Sequence, residues 1–199
     1  MTAYDTFISC EDAARHLNDP DWVFVDCRYA LMDKAQGRRD YLDAHVAGAV
    51  FADMDRDLAS PHIAGVTGRH PLPDKSRWIE TVRRLGISNR TQVVAYDYQS
   101  GQSAAGRLWW MLKWAGHAAA AVIDGGITRW QQLGLPTQAG ERQAAPTAFA
   151  AAFDDSLQVS GDEVARIAGD LAYVLLDSRA ADRYRGENEP VDPVAGHIP

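Results

Sequence analysis

Apolar and polar positions along the chain follow two rhythms. Short apolar blocks bounded by polar residues occur at Trp22–Asp26, Gln92–Tyr96 and Ala120–Asp124, and such blocks predict buried strands. Between them apolar residues recur at helical spacing. Trp78, Ile79, Val82 and Leu85 share one face, Gly86 follows as a stop, and Asp74 after Pro73 is placed to cap the start. Ala104, Leu108, Met111, Leu112 and Ala115 share another face, which predicts a helix from about Ser103 to Ala115, closed by Gly116 and His117. Gly125 and Gly126 turn the third strand into a helix near Arg129 and Trp130. Strand and helix in alternation predict an α/β domain with a mostly parallel sheet flanked by helices. In such sheets chemistry gathers on loops at the carboxyl ends of the strands, here the loops after Asp26, Tyr96 and Asp124.

From about Gln138 to Asp155 the residues are small and the periodicity lapses, as in a linker packed on a domain surface. Beyond it the chain resembles its own beginning. Ile8-Ser9 precedes an acidic residue at Asp12, and Val159-Ser160 precedes one at Glu163. Each set predicts a capping box, with Ile8/Ala13 and Val159/Val164 as apolar staples. Ser9 to Asp26 and Ser160 to Asp177 are both 17 residues, and Asp26-Cys27-Arg28 matches Asp177-Ser178-Arg179 at an offset of 151. Predicted strands precede both, at Val23–Val25 and Val174–Leu176. A His45-Val46 step follows the first and His197-Ile198 the second. The expected organisation is a first domain at 1–140, a linker at 141–158 and the opening part of a second copy at 159–199. That copy is expected to be cut near its middle and unable to close by itself.

The formal charge of −7 argues against general affinity for nucleic acid or anionic membrane. No apolar run reaches the length of a membrane span, and no secretory signal is visible at the start. Cys10 and Cys27 are too few for a disulfide framework and lack zinc-ligand spacing, so a reducing, cytoplasmic setting is expected.

The ordered motifs carry a specific resemblance. They are Asp26–Leu31, Gly68–Pro73, Val94–Asp97, Arg107–Leu112 and Asp124–Gly126, then Leu176–Arg179, Arg183–Gly186 and Asp192–Pro199. Together the chain resembles the tandem-domain rhodanese family, the thiosulfate and 3-mercaptopyruvate sulfurtransferases, with the second domain truncated or cleaved. The resemblance implies a rhodanese-like fold: one complete copy, plus the first part of a second. It implies transfer of a sulfane sulfur from 3-mercaptopyruvate or thiosulfate to cyanide or a thiol, through a cysteine persulfide. The carrier cysteine would lie after Pro199, so the 199 residues alone would be inactive. No metal or organic cofactor is implied. The expected partners are a small anionic donor, the thiophilic acceptor and the remainder of domain 2, in the same protein or as a separate chain.

By the same resemblance Asp97 stands at the nucleophile position of the inactive first copy. Arg183 corresponds to an arginine that grips the donor's anionic end, a task suited to a guanidinium fork, with Arg185 a second candidate. The alternative for Arg183 is an ion pair with Glu187 or Glu189. The stretch from Arg183 to His197 favours 3-mercaptopyruvate as donor, with thiosulfate beside it. His45 matches an interface histidine with a possible accessory role in proton transfer, oriented by Asp40 or Asp43; its repeat partner His197 favours a structural role instead. Cys27 is expected to be a buried structural thiol. Cys10, in a first helical turn where a thiol pKa can fall, is expected to be inert and partly exposed. The rival function is a non-catalytic rhodanese-like binding or regulatory module. A phosphatase is disfavoured, since the chain has no Cys-x5-Arg loop.

Overall fold

The computed structural model describes residues 4–192 and 194–198, which divide into two compact units, one ending at Asp154 and the other beginning at Asp155. The first unit opens with β1 (Phe7–Ile8), and Ser9 caps α1 (Cys10–Ala14) by accepting the Asp12 N–H at 3.0 Å. There follow β2 (Trp22–Asp26), α2 (Gln36–Asp43), β3 (His45–Val46), β4 (Val50–Phe51) and α3 (Lys75–Arg84). The unit continues with β5 (Gln92–Tyr96), α4 (Ala104–Trp114), β6 (Ala120–Ile123), α5 (Gly126–Gln132) and β7 (Thr137–Gln138). Asp74 occupies the N-cap of α3, although its carboxylate makes no capping bond there.

Five strands form one parallel sheet in the order β1-β6-β5-β2-β4, and β3 pairs with β7 in a separate antiparallel ribbon. Alternation along the strands divides the core. Val25, Val93, Ala95 and Val122 pack with Trp78, Val82, Leu108 and Leu112 from α3 and α4. Phe24, Val94, Ala121 and Ile123 pack with Ala13, Ile127 and Trp130 from α1 and α5. Layers on both faces explain why the central strands read as unbroken apolar blocks.

Residues 141–154 run across α3 and α4 as a pinned strap. Thr147 donates its N–H to the Arg83 carbonyl and its hydroxyl to that of Ile87, at 3.1 and 2.7 Å. Arg83 reaches the Phe149 carbonyl at 2.9 Å, Asn89 exchanges two bonds with Ala150, and the Ala152 and Asp154 amides reach Ala115 and Trp114. Phe149 is buried within the α3/α4 core.

The second unit holds a short 3-10 turn (Asp155–Leu157), α6 (Gly161–Ile167) and α7 (Ala181–Tyr184). None of its described residues is buried as a whole, although the Glu189 side chain is nearly covered. Residues 174–176, expected as a strand, are not one. Val174 and Leu176 are each 81 % exposed, and an apolar block stays unpaired where no neighbouring strand offers hydrogen bonds. Tyr173, Leu176, Val194 and Ile198 line an open cleft of about 980 Å³ in this unit. Pro193 and Pro199 of the Asp192–Pro199 motif, and the first three residues, lie outside the described residues.

Local bonds of the first unit recur in the second. Ser160 accepts the Glu163 N–H as Ser9 does that of Asp12. Arg28 forks onto Asp26 and extends Nη2 to the Ala44 carbonyl at 2.7 Å; Arg179 forks onto Asp177 and reaches the Gly196 carbonyl at 2.7 Å. His45 donates from Nδ1 to the Tyr41 carbonyl and stacks on that ring at 4.1 Å, and His197 does the same with Tyr184 at 3.9 Å.

Candidate functional site

The carboxyl end of β5 passes into a loop wound around the side chain of Asp97. One carboxylate oxygen accepts the N–H groups of Gln99 and Gly101, the other that of Ser103, each at 3.1 Å. Ser103 is also the N-cap of α4. Three converging amides and a helix start make an anion cradle, and here the chain's own carboxylate fills it. The loop is held from beneath by the turn into α5. The Ile127 N–H donates to the Asp97 carbonyl at 2.9 Å, the Ser100 hydroxyl accepts the Gly125 N–H at 2.9 Å, and Thr128 donates to the Tyr98 carbonyl. Gly126 has φ +55°, and a Cβ there would stand 1.8 Å from the Gln99 carbonyl oxygen, so that position requires glycine.

The end of β2 serves the fold. Asp26 accepts from the Arg28 guanidinium at 2.7–3.1 Å and from the Tyr96 hydroxyl at 2.9 Å, and that hydroxyl accepts the Val46 N–H. Burial pushes the Asp26 carboxyl above its ordinary value against the pull of Arg28. Cys27 beside it is fully buried, and burial with the charges of Asp26 and Asp97 lifts its thiol well above the ordinary range. Cys10 departs from expectation. It is buried rather than partly exposed, with its sulfur 3.4 Å from the Asp124 carbonyl oxygen, and desolvation with the Glu11 charge raises its pKa to about 11. Loss of water outweighs the helix-terminus field. Burial disfavours the thiolate at both positions.

The structure does not join His45 to Asp40 or Asp43. His45 is buried and bound to the Tyr41 carbonyl, while Asp40 accepts the Tyr98 hydroxyl at 2.5 Å. A different histidine has a carboxylate partner. His70 Nε2 lies 3.2 Å from Asp55 and 3.3 Å from the Tyr29 hydroxyl, and Lys34 pairs with the same Asp55 at 3.0 Å. Burial lowers the His70 pKa, with Asp55 opposing it. A half-buried base with a carboxylate orienter is suited to proton handling. In the sequence His70 stands only as one residue of the Gly68–Pro73 motif. Its partners come from two other loops, so no local signal marked it.

In the second unit Arg183 sends Nε and Nη2 to both oxygens of Glu189 at 2.8–3.2 Å, and Nη2 also to Asp192 at 2.9 Å. Arg185 pairs with Glu187 at 2.7 Å. The two arginines thus have separate carboxylate partners. Among the described residues no three His, Cys, Asp or Glu side chains cluster to hold a metal ion.

Residues 9–133 match the rhodanese-like domain family. The chain is 42 % identical over 193 residues to a protein of Pseudomonas aeruginosa described as a probable 3-mercaptopyruvate sulfurtransferase, covering 96 % of this chain and 68 % of that one. It is 36 % identical over 167 residues to the human 3-mercaptopyruvate sulfurtransferase, covering 81 % of this chain and 54 % of the human protein. Against the bovine thiosulfate sulfurtransferase it is 36 % identical over 185 residues, covering 90 % of this chain and 60 % of that protein. Among solved structures, 3-mercaptopyruvate sulfurtransferase from Leishmania major superposes with a TM-score of 0.84 at 31 % identity, over 98 % of this chain and 52 % of that one. The chain therefore spans roughly half to two thirds of the length of these relatives.

Proposed function

The chain belongs to the rhodanese-like domain family, and from that premise we propose that the native protein is a sulfurtransferase, taking a sulfane sulfur from 3-mercaptopyruvate or thiosulfate. The carrier is a cysteine outside these 199 residues, in the same polypeptide or a partner chain, on a loop equivalent to the Asp97 loop. That loop is the observation that carries the reading. Its three amides hold one anionic atom group at a strand end, and a thiolate in the place of Asp97 would receive the same stabilisation. The recurrence of the serine cap, the Asp–Arg fork and the Tyr–His stack supports residues 159–199 as the opening of a second such domain.

In the reaction the thiolate attacks the thiol sulfur of 3-mercaptopyruvate or the outer sulfur of thiosulfate. The carbon–sulfur bond of 3-mercaptopyruvate breaks and the pyruvate enolate takes a proton; with thiosulfate the sulfur–sulfur bond breaks and sulfite leaves. Cyanide or an acceptor thiolate then attacks the outer sulfur of the persulfide and releases the original thiolate. Neither Cys10 nor Cys27 suits this role, because both are buried and burial raises their thiols above the ordinary value.

Assay of the native protein, expressed from its complete reading frame, with each donor and cyanide tests the proposal. Thiocyanate formation from at least one donor is expected. No product from either would favour a non-catalytic binding module, the reading that the filled Asp97 cradle supports for the first unit.

A further inference from the structure

We propose that Glu189 sets donor affinity by weakening the grip of Arg183 on an anionic sulfur donor. The inference rests on the sulfurtransferase reading above and adds to it a residue that sets donor affinity.

Arg183 alone would be a strong anion grip, because its fork offers paired N–H groups. In this chain the Nε/Nη2 edge is already taken by both oxygens of Glu189, and Nη2 also meets Asp192. Glu189 is held firmly in that position. Its side chain is 5 % exposed, Oε1 also accepts the N–H groups of Val191 and Asp192 at 3.0 Å, and Arg179 Nη1 stands 3.7 Å from Oε2. Arg183 and the amides hold its carboxyl down at about 2, so it keeps its charge throughout the working range. In this network Arg179 and Arg183 face Asp177, Glu189 and Asp192, with Glu189 contacting both guanidinium groups. With that edge taken, a donor carboxylate or thiosulfate reaching Arg183 meets the negative charge of Glu189 beside it.

Replacing Glu189 by Gln removes the charge but leaves a carbonyl to accept from Arg183, Val191 and Asp192, so the arm from Glu189 to Asp192 keeps its anchor. One unit charge a few ångström away in a partly solvated site changes anion affinity on the order of fivefold.

The test is steady-state sulfur transfer by the native protein with 3-mercaptopyruvate and with thiosulfate. Glu189→Gln is expected to lower the donor KM about fivefold, with the change falling on KM rather than kcat. Glu189→Asp keeps the charge and is expected not to lower it. Asp192→Asn is a second variant at a more exposed position, expected to lower KM by less, and it decides the matter should Glu189→Gln fail to fold. KM unchanged or raised in both neutral variants, while the parent protein turns over, overturns the inference. So does a donor KM indifferent to Arg183→Lys. A parent protein that transfers sulfur from neither donor defeats the sulfurtransferase reading itself.

Discussion

The same Asp–Arg fork occurs twice in the molecule with opposite electrostatic outcomes. Asp26 is buried, and desolvation lifts its carboxyl in spite of Arg28; the Asp177 side chain keeps contact with solvent, and the hydrogen bonds from Arg179 pull it down to about 2. A buried pair costs little while intact and much when one partner is removed. Asp26→Ala strands Arg28 and the Tyr96 hydroxyl in the core and is expected to destabilise the first unit by about 3–5 kcal/mol in urea unfolding. Asp177→Ala should leave the urea midpoint nearly unmoved. His117 gives the residue-scale pH dependence. It is buried edge-on to Phe149 of the strap, and burial lowers its pKa. A base whose folded pKa lies below its unfolded value of about 6.5 contributes stability above that value and loses it as the pH falls. The difference in urea midpoint between the parent and His117→Gln, followed from about pH 7 to about pH 5, should therefore shrink or reverse as acid is added. A difference constant with pH would refute the assignment.

At the scale of elements, the Asp97 loop depends on the turn that opens α5. Gly126→Ala places a methyl against the Gln99 carbonyl in a left-handed conformation, so a loss of at least about 2 kcal/mol is expected from thermal or urea unfolding. Legibility in the sequence follows element length. The blocks at Trp22–Asp26 and Gln92–Tyr96 and the helices at Lys75–Arg84 and Ala104–Trp114 are long enough to show a period, and they stand where the pattern placed them. The two-residue strands β1, β3, β4 and β7 carry no period. α2 is hidden by its polar composition, since Gly37 and Tyr41 are its buried residues. Val174–Leu176 shows the reverse failure: its pattern matches that of β2, but a strand needs a paired neighbour as well as apolar side chains. In the site, Asp97 stood out in the sequence only through the family resemblance, whereas the three amides around it left no sequence signal. The His70–Asp55–Tyr29 cluster, assembled from separate loops, was legible only as part of a motif.

At the scale of the whole molecule, one unit has a two-faced core and the other has no buried described residue. The first carries an anion cradle closed by its own carboxylate, and the second carries Arg183 tied to Glu189. Sulfur is proposed to travel on a cysteine other than Cys10 or Cys27, and mass spectrometry of the native protein after exposure to 3-mercaptopyruvate or thiosulfate without acceptor tests this. The predicted result is one added sulfur atom, lost on adding cyanide, on a peptide containing neither Cys10 nor Cys27. Sulfur on either of those two residues, or on none, would contradict it.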